Sequence, residues 1–441
     1  MNSIFRLLPD KLFFIFFFLL VGILFIDIAF SRIQKFTINS GSTDPQVTLF
    51  FLMLFTCIIV QFFIAEFVRT KINAVARPLF KTLHPLAIFL RFQYLIMGTV
   101  LALVFAEMVI VNSYDSLYPK AVLWISYLQT ISILIFTGYK FVGWLSINKN
   151  YLILLYAISV LFLSANSLFS LLYANDLLSV YVSSIQPNFG GFVATSGNQA
   201  LIYAFQISST ASYLLMWLAT SILIKNHSRK LGRVKYWVLI SLPLVYFVLQ
   251  FSSTSSQLLY QIRSSDPVLF GIVYTLFFSA SKPIGGIIFG AGLWIAGLKI
   301  SDRQVRLFMI FGGCGIILFF ASNQAFILAT LYYPPFGLVS VSCVGLGGIL
   351  FFIGIYTATI SAAQDGTVRK SIKRNLEDES VLLRGTSKSE MEKQIQSRVL
   401  NMSKKLSEQL KMSSGVPNSL EEGEIKDYIH DILEEMKVRK K

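Results

Sequence analysis

The residues best placed to do chemistry in this chain stand in apolar surroundings. One cation, Lys282, lies in the run Ser279-Ala280-Ser281-Lys282-Pro283-Ile284-Gly285-Gly286. Proline removes a backbone donor and kinks a helix. Glycines let two backbones approach closely. A helix break at Pro283, Gly285 and Gly286 with a charge beside it suits an anion, a carboxylate ligand or an acidic partner such as Asp27 or Glu107. The plain competing reading is a structural kink with Lys282 in a small hydrated crevice. Ser279 and Lys282 also match Ser-x-x-Lys, a spacing that supplies a nucleophile and its partner in penicillin-recognising enzymes. The companion motifs are missing, so the match reads as chance.

Neutral polar residues form four clusters. Asn166 stands among Ser164, Ser167 and Ser170. Gln206 opens a run with Ser208, Ser209, Thr210 and Ser212. Gln250 and Gln257 flank Ser252–Ser256, and Asn323 and Gln324 follow Ser322. Counted inward at about 1.5 Å per helical residue, the clusters fall mainly in one half of the membrane, the outer half in the topology given below. Unpaired amides in hydrocarbon cost several kcal/mol each. They must pair across helices or line a polar cavity. The cavity reading gives a candidate ligand-binding set of Lys282, Asn166, Gln206, Gln250, Gln257, Asn323 and Gln324.

Other chemistry is poorly served. His84, His227 and His430 are scattered, and Cys57, Cys314 and Cys343 lie inside apolar stretches. No pair has metal-ligand spacing, and no glycine-rich phosphate loop occurs. The expectation is no metal, no cofactor, no disulfide and no enzymatic activity.

The elements that carry these residues follow from composition. Of 441 residues, 55% are hydrophobic and only 14% are charged. Soluble domains carry about 25% charged residues. The deficit excludes a water-soluble surface, and the hydrophobicity excludes disorder for most of the chain. The fold class expected is all-α, a polytopic helical membrane protein in a lipid bilayer. A span needs about 20 apolar residues. Ten candidates meet this: Leu12–Phe30, Val47–Val68, Leu86–Val111, Ala121–Leu145, Tyr151–Tyr173, Ala200–Ile224, Trp237–Tyr260, Val268–Gly297, Leu307–Leu331 and Leu338–Ala362. The first follows Arg6 and Lys11 but is too long for a signal peptide, and it reads as a retained span.

The net charge is +15. Residues 363–441 hold sixteen Lys and Arg against fourteen Asp and Glu, so the excess lies between the spans. There it acts as an orientation signal, not as a nucleic-acid face. With the N-terminus in the cytosol, inner segments carry fifteen Lys and Arg and outer segments four. The outer loop Ala174–Gln199 has none. Residues 1–362 then form a bundle with both termini cytosolic, in the cell membrane. A weak parallel repeat is also visible. Met216-Trp217-Leu218-Ala219 resembles Leu293-Trp294-Ile295-Ala296, and Leu161–Asn166 resembles Leu318–Asn323.

Residues 363–441 form a cytosolic tail. The tenth span is expected to run on through Thr367–Leu383 until Gly385 and Ser387 interrupt it. Ser389 and Glu392 match a capping box, and the segment Met391–Leu410 carries an apolar stripe at helical spacing. After Gly415 and Pro417, Ile425–Met436 carries a second. Such stripes self-associate or recruit a cytosolic protein. The leading functional reading is a receptor- or scaffold-type protein with a polar outer cavity and a partner-recruiting tail. The alternative is a small-solute transporter using the break at Lys282–Gly286. A membrane-embedded enzyme is the least supported.

Overall fold

In lipid, a segment must satisfy its own backbone groups, and a helix does so. The computed structural model describes residues 10–37, 44–75, 80–111, 117–183, 199–225, 232–249, 261–262, 269, 273, 280–298, 300, 302–323, 334–364 and 381–414, and no strand occurs among them. The helices are α1 (Asp10–Thr37), α2 (Asp44–Val75), α3 (Phe80–Val111), α4 (Leu117–Leu145), α5 (Tyr151–Ser183), α6 (Gln199–Lys225), α7 (Arg233–Leu249), α8 (Ser281–Leu298), α9 (Arg303–Ser322), α10 (Leu338–Ser342), α11 (Val344–Gln364) and α12 (Val381–Ser414). Among the described residues, nine helical runs are long and apolar enough to cross a membrane: α1 to α6, α8, α9 and the α10–α11 run. The expected all-α polytopic architecture is what the chain adopts. α7 is described over 17 residues, and the rest of its expected span, to Tyr260, lies outside the described residues. So do the expected extension of the ninth span beyond Asn323 and the expected continuation of the tenth from 365 to 380.

α11 is the hub. The whole apolar stretch from Leu338 to Ala363 is buried within protein. α9 lies along it with the two backbones almost touching. A Cβ on Gly347 would stand 2.7 Å from the Phe319 nitrogen, and one on Gly354 would stand 2.6 Å from the Phe308 carbonyl oxygen. On α9's other side, α8 approaches at Gly290, where a Cβ would meet the Gly313 carbonyl. α4 closes on α11 where Gly348 faces Thr130 at 3.5 Å. Lipid tails give helices no hydrophobic reason to associate, so close van der Waals contact through small residues does that work.

Polar bonds fix the helix ends. Asp10 pairs with Lys71 at 2.9 Å and with Arg303 at 2.7 Å, bringing the start of α1, the end of α2 and the start of α9 to one end of the bundle. Glu66 is buried one turn before Arg69 and pairs with it. The two tryptophans of the sequence echo do the same thing. Trp217 Nε1 donates to the Ile240 carbonyl and Trp294 Nε1 to the Ile310 carbonyl, each at 2.9 Å, so each ties its helix to the next. Asn166 and Asn323, the last residues of the other echo, hydrogen-bond to each other at 3.0 Å. The two echoes are offset by different lengths of chain, so a single duplication does not carry both.

The tail departs from expectation. α12 is one helix from Val381 to Ser414, running through Gly385 and Ser387 without a break. Its root is docked on the bundle. Thr359 Oγ1 donates to Thr386 Oγ1 at 3.1 Å, Ser389 Oγ donates to the Trp144 carbonyl at 2.8 Å, and Trp144 Nε1 donates to Glu390 Oε2 at 3.0 Å. Gly385 has a structural reason to be small. A Cβ there would fall 2.9 Å from Ile153 Cδ1. Ser389 therefore bonds across to α4 from mid-helix and does not open a new helix as a cap. The second stripe, Ile425–Met436, lies outside the described residues.

Candidate functional site

The sequence-derived site divides in two. Asn166 and Asn323 come together. Tyr127 of α4 donates to Asn323 Oδ1 at 3.0 Å, Asn323 Nδ2 donates to Asn166 Oδ1 at 3.0 Å, and Asn166 Nδ2 donates to Ser208 Oγ at 3.4 Å. Ser208 in turn donates to the Phe205 carbonyl at 3.0 Å. One chain of bonds thus joins α4, the end of α9, α5 and α6. Asn323 sits where α9 stops, its backbone N–H still bonded to the Phe319 carbonyl at 2.8 Å. That leaves its amide free to turn sideways. The arrangement is interhelical pairing, the use of amides that needs no cavity.

Lys282 touches the same region. Its Nζ lies 5.1 Å from the centroid of the Phe205 ring, a cation–π contact. The described helix that carries it starts at Ser281, so Lys282 stands in the first turn of α8, and most of the expected eighth span before Ala280 lies outside the described residues. Pro283 falls in the first turn, where its missing N–H leaves no bond broken. The first bond of the turn runs from the Ile284 N–H to the Ala280 carbonyl at 3.0 Å. Gly285 and Gly286 are contact points, against the Tyr213 ring and against Phe320, where a Cβ would stand 2.5 Å from the Phe320 Cβ. Gln206 shares α6 with Ser208 but its side chain is exposed, on a different face. Gln250, Gln257 and Gln324 lie outside the described residues.

Asp27 is not a partner of Lys282. It is fully buried and accepts from the Gly337 N–H, the Ser340 N–H and the Ser340 hydroxyl, at 2.8, 2.8 and 2.7 Å. The carboxylate thereby ties α1 to the start of α10, where Gly337 takes a left-handed φ of 97°.

Sequence reasoning passed over a second polar group. Gln61, Gln93 and Gln129 come from near the middle of α2, α3 and α4 and converge on the junction between α10 and α11. Gln61 Nε2 donates to Ser342 Oγ at 2.9 Å, and it lies 3.0 and 3.1 Å from the sulfurs of Cys57 and Cys343. Those sulfurs are 3.8 Å apart, as free thiols. Gln93 and Gln129 meet beside Gly345. A Cβ there would be 2.7 Å from Gln129 Oε1 and 3.4 Å from Gln93 Nε2. The available signal was one lone glutamine at similar depth in three consecutive spans, which a search for clusters along the chain does not register.

Among the described residues no group of three or more His, Cys, Asp or Glu is placed to hold a metal ion. Comparison with known protein families, with characterised proteins and with solved structures finds no match. What the fold defines is a class: an all-α, polytopic membrane protein built around a buried central helix.

Proposed function

We propose that the protein is a receptor- or scaffold-type membrane protein that holds α12 out to a cytosolic partner. One observation carries this. α12 is rooted in the bundle by Trp144, Thr359 and the 146–150 turn, yet Ile395, Val399 and Met402 further along the same helix are exposed. A rigid mount with an apolar stripe at helical spacing is how helices are offered to a groove on another protein. Both termini are assigned to the cytosol of the cell membrane, on the strength of the Lys and Arg asymmetry. The shared end of α1, α2 and α9 at Asp10 supports that parity. The transport reading has less support, because the glycines at Lys282–Gly286 are filled by Tyr213 and Phe320.

The test is in-cell crosslinking followed by copurification with the full chain. A partner recovered with the wild type and with Lys282→Ala, but lost from an Ile395→Asp, Val399→Asp double variant, is the expected result. The same proteins recovered from the double variant would remove the reading.

A further inference from the structure

We propose that the exposed apolar stripe of α12 is a docking surface for the chain's own acidic segment, residues 420–436, which folds back on it as the second arm of a helical hairpin. Ile395, Val399 and Met402 follow one another by four and then three positions, so they share one face of α12, and all three are exposed. The root of the same helix is fixed to the bundle through Ser389 and Glu390, which holds that face in a set place. An apolar stripe on a fixed helix gains by being covered. The cover comes from beyond Ser414, where α12 and the described residues stop. Only a short stretch of chain separates the two stripes. Gly415 and Pro417 break the helical pattern, Ser419 and Glu422 match a capping box, and the apolar residues from Ile425 to Met436 recur at helical spacing. A connection of this length joins antiparallel neighbours.

Charge selects this occupant. Residues 393–414 carry five Lys and Arg against one Glu, and residues 420–436 carry seven Asp and Glu against one Lys. A second copy of α12 would set five cations against five, so charge opposes self-pairing of that helix and favours pairing with the acidic segment. Register agrees with the totals. A fold-back midway between the two arms, with equal rise along both, puts Ile432 about level with Asn401 and Met436 about level with Ser397, so the second stripe spans Val399 and Met402. Asp427 then comes about level with Leu406, next to Lys404 and Lys405, and Glu435 about level with Arg398. Single exposed ion pairs are worth little, and a run of them sets direction and register more than strength. Strength comes from the covered stripe. The contact deepens the α12 reading and rests on it for its consequence: the segment occupies the stripe that a cytosolic partner would use, so a partner must displace it.

The test uses the full chain in lipid nanodiscs, as a mixture of unlabelled and isotope-labelled protein. The native thiols stay in place, since Cys57, Cys314 and Cys343 are buried. Val399→Cys with Leu433→Cys is the docking pair. Ser397→Cys with Leu433→Cys is its control, because Ser397 is exposed two positions away, on the far side of α12. Mild oxidation should join 399 to 433 within single chains, read by mass spectrometry of the linked peptides, and leave the control pair mostly unjoined. Adding Ile425→Asp and Ile429→Asp should cut that yield several-fold. In cells, the same two aspartates in an otherwise wild-type chain should raise recovery of the cytosolic partner several-fold, as removing a competing occupant does. No joining of 399 to 433, equal joining in the control, or peptides that join labelled to unlabelled chains overturns the proposal, the last by making a second copy the occupant. So does a partner recovered equally from the wild type and the aspartate variant. Joining within single chains with no partner recovered from either upholds this contact and removes only the α12 reading; a partner recovered without any joining does the reverse.

Discussion

A single carboxylate shows how much one side chain can hold. Asp27 reaches 17 positions into α1 and satisfies three donors that the turn at Gly337–Ser340 would otherwise leave bare. Hydrogen bonds to a charged group are worth about 1.5–3 kcal/mol each. Asp27→Asn keeps the shape but replaces one acceptor oxygen with an NH2 that faces a donor. The expected cost is about 2–4 kcal/mol, read as a lowered unfolding midpoint in detergent or nanodiscs. Ser340→Ala removes only the hydroxyl partner and should cost about 1 kcal/mol. If Asp27→Asn unfolds like the wild type, the carboxylate is not the tie between α1 and α10. At this scale the sequence was half legible. Asn166 and Asn323 were recognisable as amides that had to find partners, because hydrocarbon leaves no other choice. That they would find each other, with Tyr127 and Ser208, was not, because hydrogen-bond partners 157 and 196 positions apart are a property of the packed bundle. Gln206 shows the same limit in reverse. Its neighbours in sequence are in the bond chain, and one rotation step around α6 leaves it exposed.

Glycine positions decide how the helices sit against one another. An exposed helix interior gains about 1 kcal/mol when glycine becomes alanine. Gly22 of α1 has nothing within 4 Å of its Cβ position, so Gly22→Ala should be stabilising by up to that amount. At Gly315 the sign reverses. A Cβ there would overlap the Phe351 backbone nitrogen and stand 2.7 Å from the Gly347 carbonyl oxygen, and backbone cannot step aside. Gly315→Ala should therefore cost about 1–3 kcal/mol or more, as overpacking does. Equal effects at the two sites, measured by reversible denaturant unfolding, would show that α9 and α11 are not in close contact. α12 gives a second case. Trp144→Phe keeps the ring stacking but loses the bond to Glu390, which is partly buried. A loss of about 1.4 kcal/mol would speed amide exchange in the first turns of α12 by a factor of about 10. The helices themselves were legible from apolar length alone. The uninterrupted α12 was not, because docking against Ile153 and Trp144 outweighs the weak helix propensity of Gly385 and Ser387.

Across the whole molecule, charge asymmetry and the bond pattern address the same question, which end faces the cytosol. Lys and Arg counts predict that the N-terminus, the α4–α5 turn and the tail lie inside. The packing agrees on which elements share an end, since α12 docks on the turn after α4 and on the end of α11, while Asp10 gathers α1, α2 and α9. Shared ends do not say which side of the membrane they occupy, and that is a matter for labelling. The native thiols will not interfere, because Cys57, Cys314 and Cys343 are all fully buried. A cysteine placed at Gly190, in the loop without Lys or Arg, should react with a membrane-impermeant maleimide on intact cells. One placed at Ser397, exposed on α12, should react only after the membrane is permeabilised. The reverse pattern inverts the orientation and takes the proposed cytosolic partner with it. Reaction of both from the same side would mean that an even number of crossings separates two positions between which five were expected, and would put the error among the spans counted between Gly190 and Ser397.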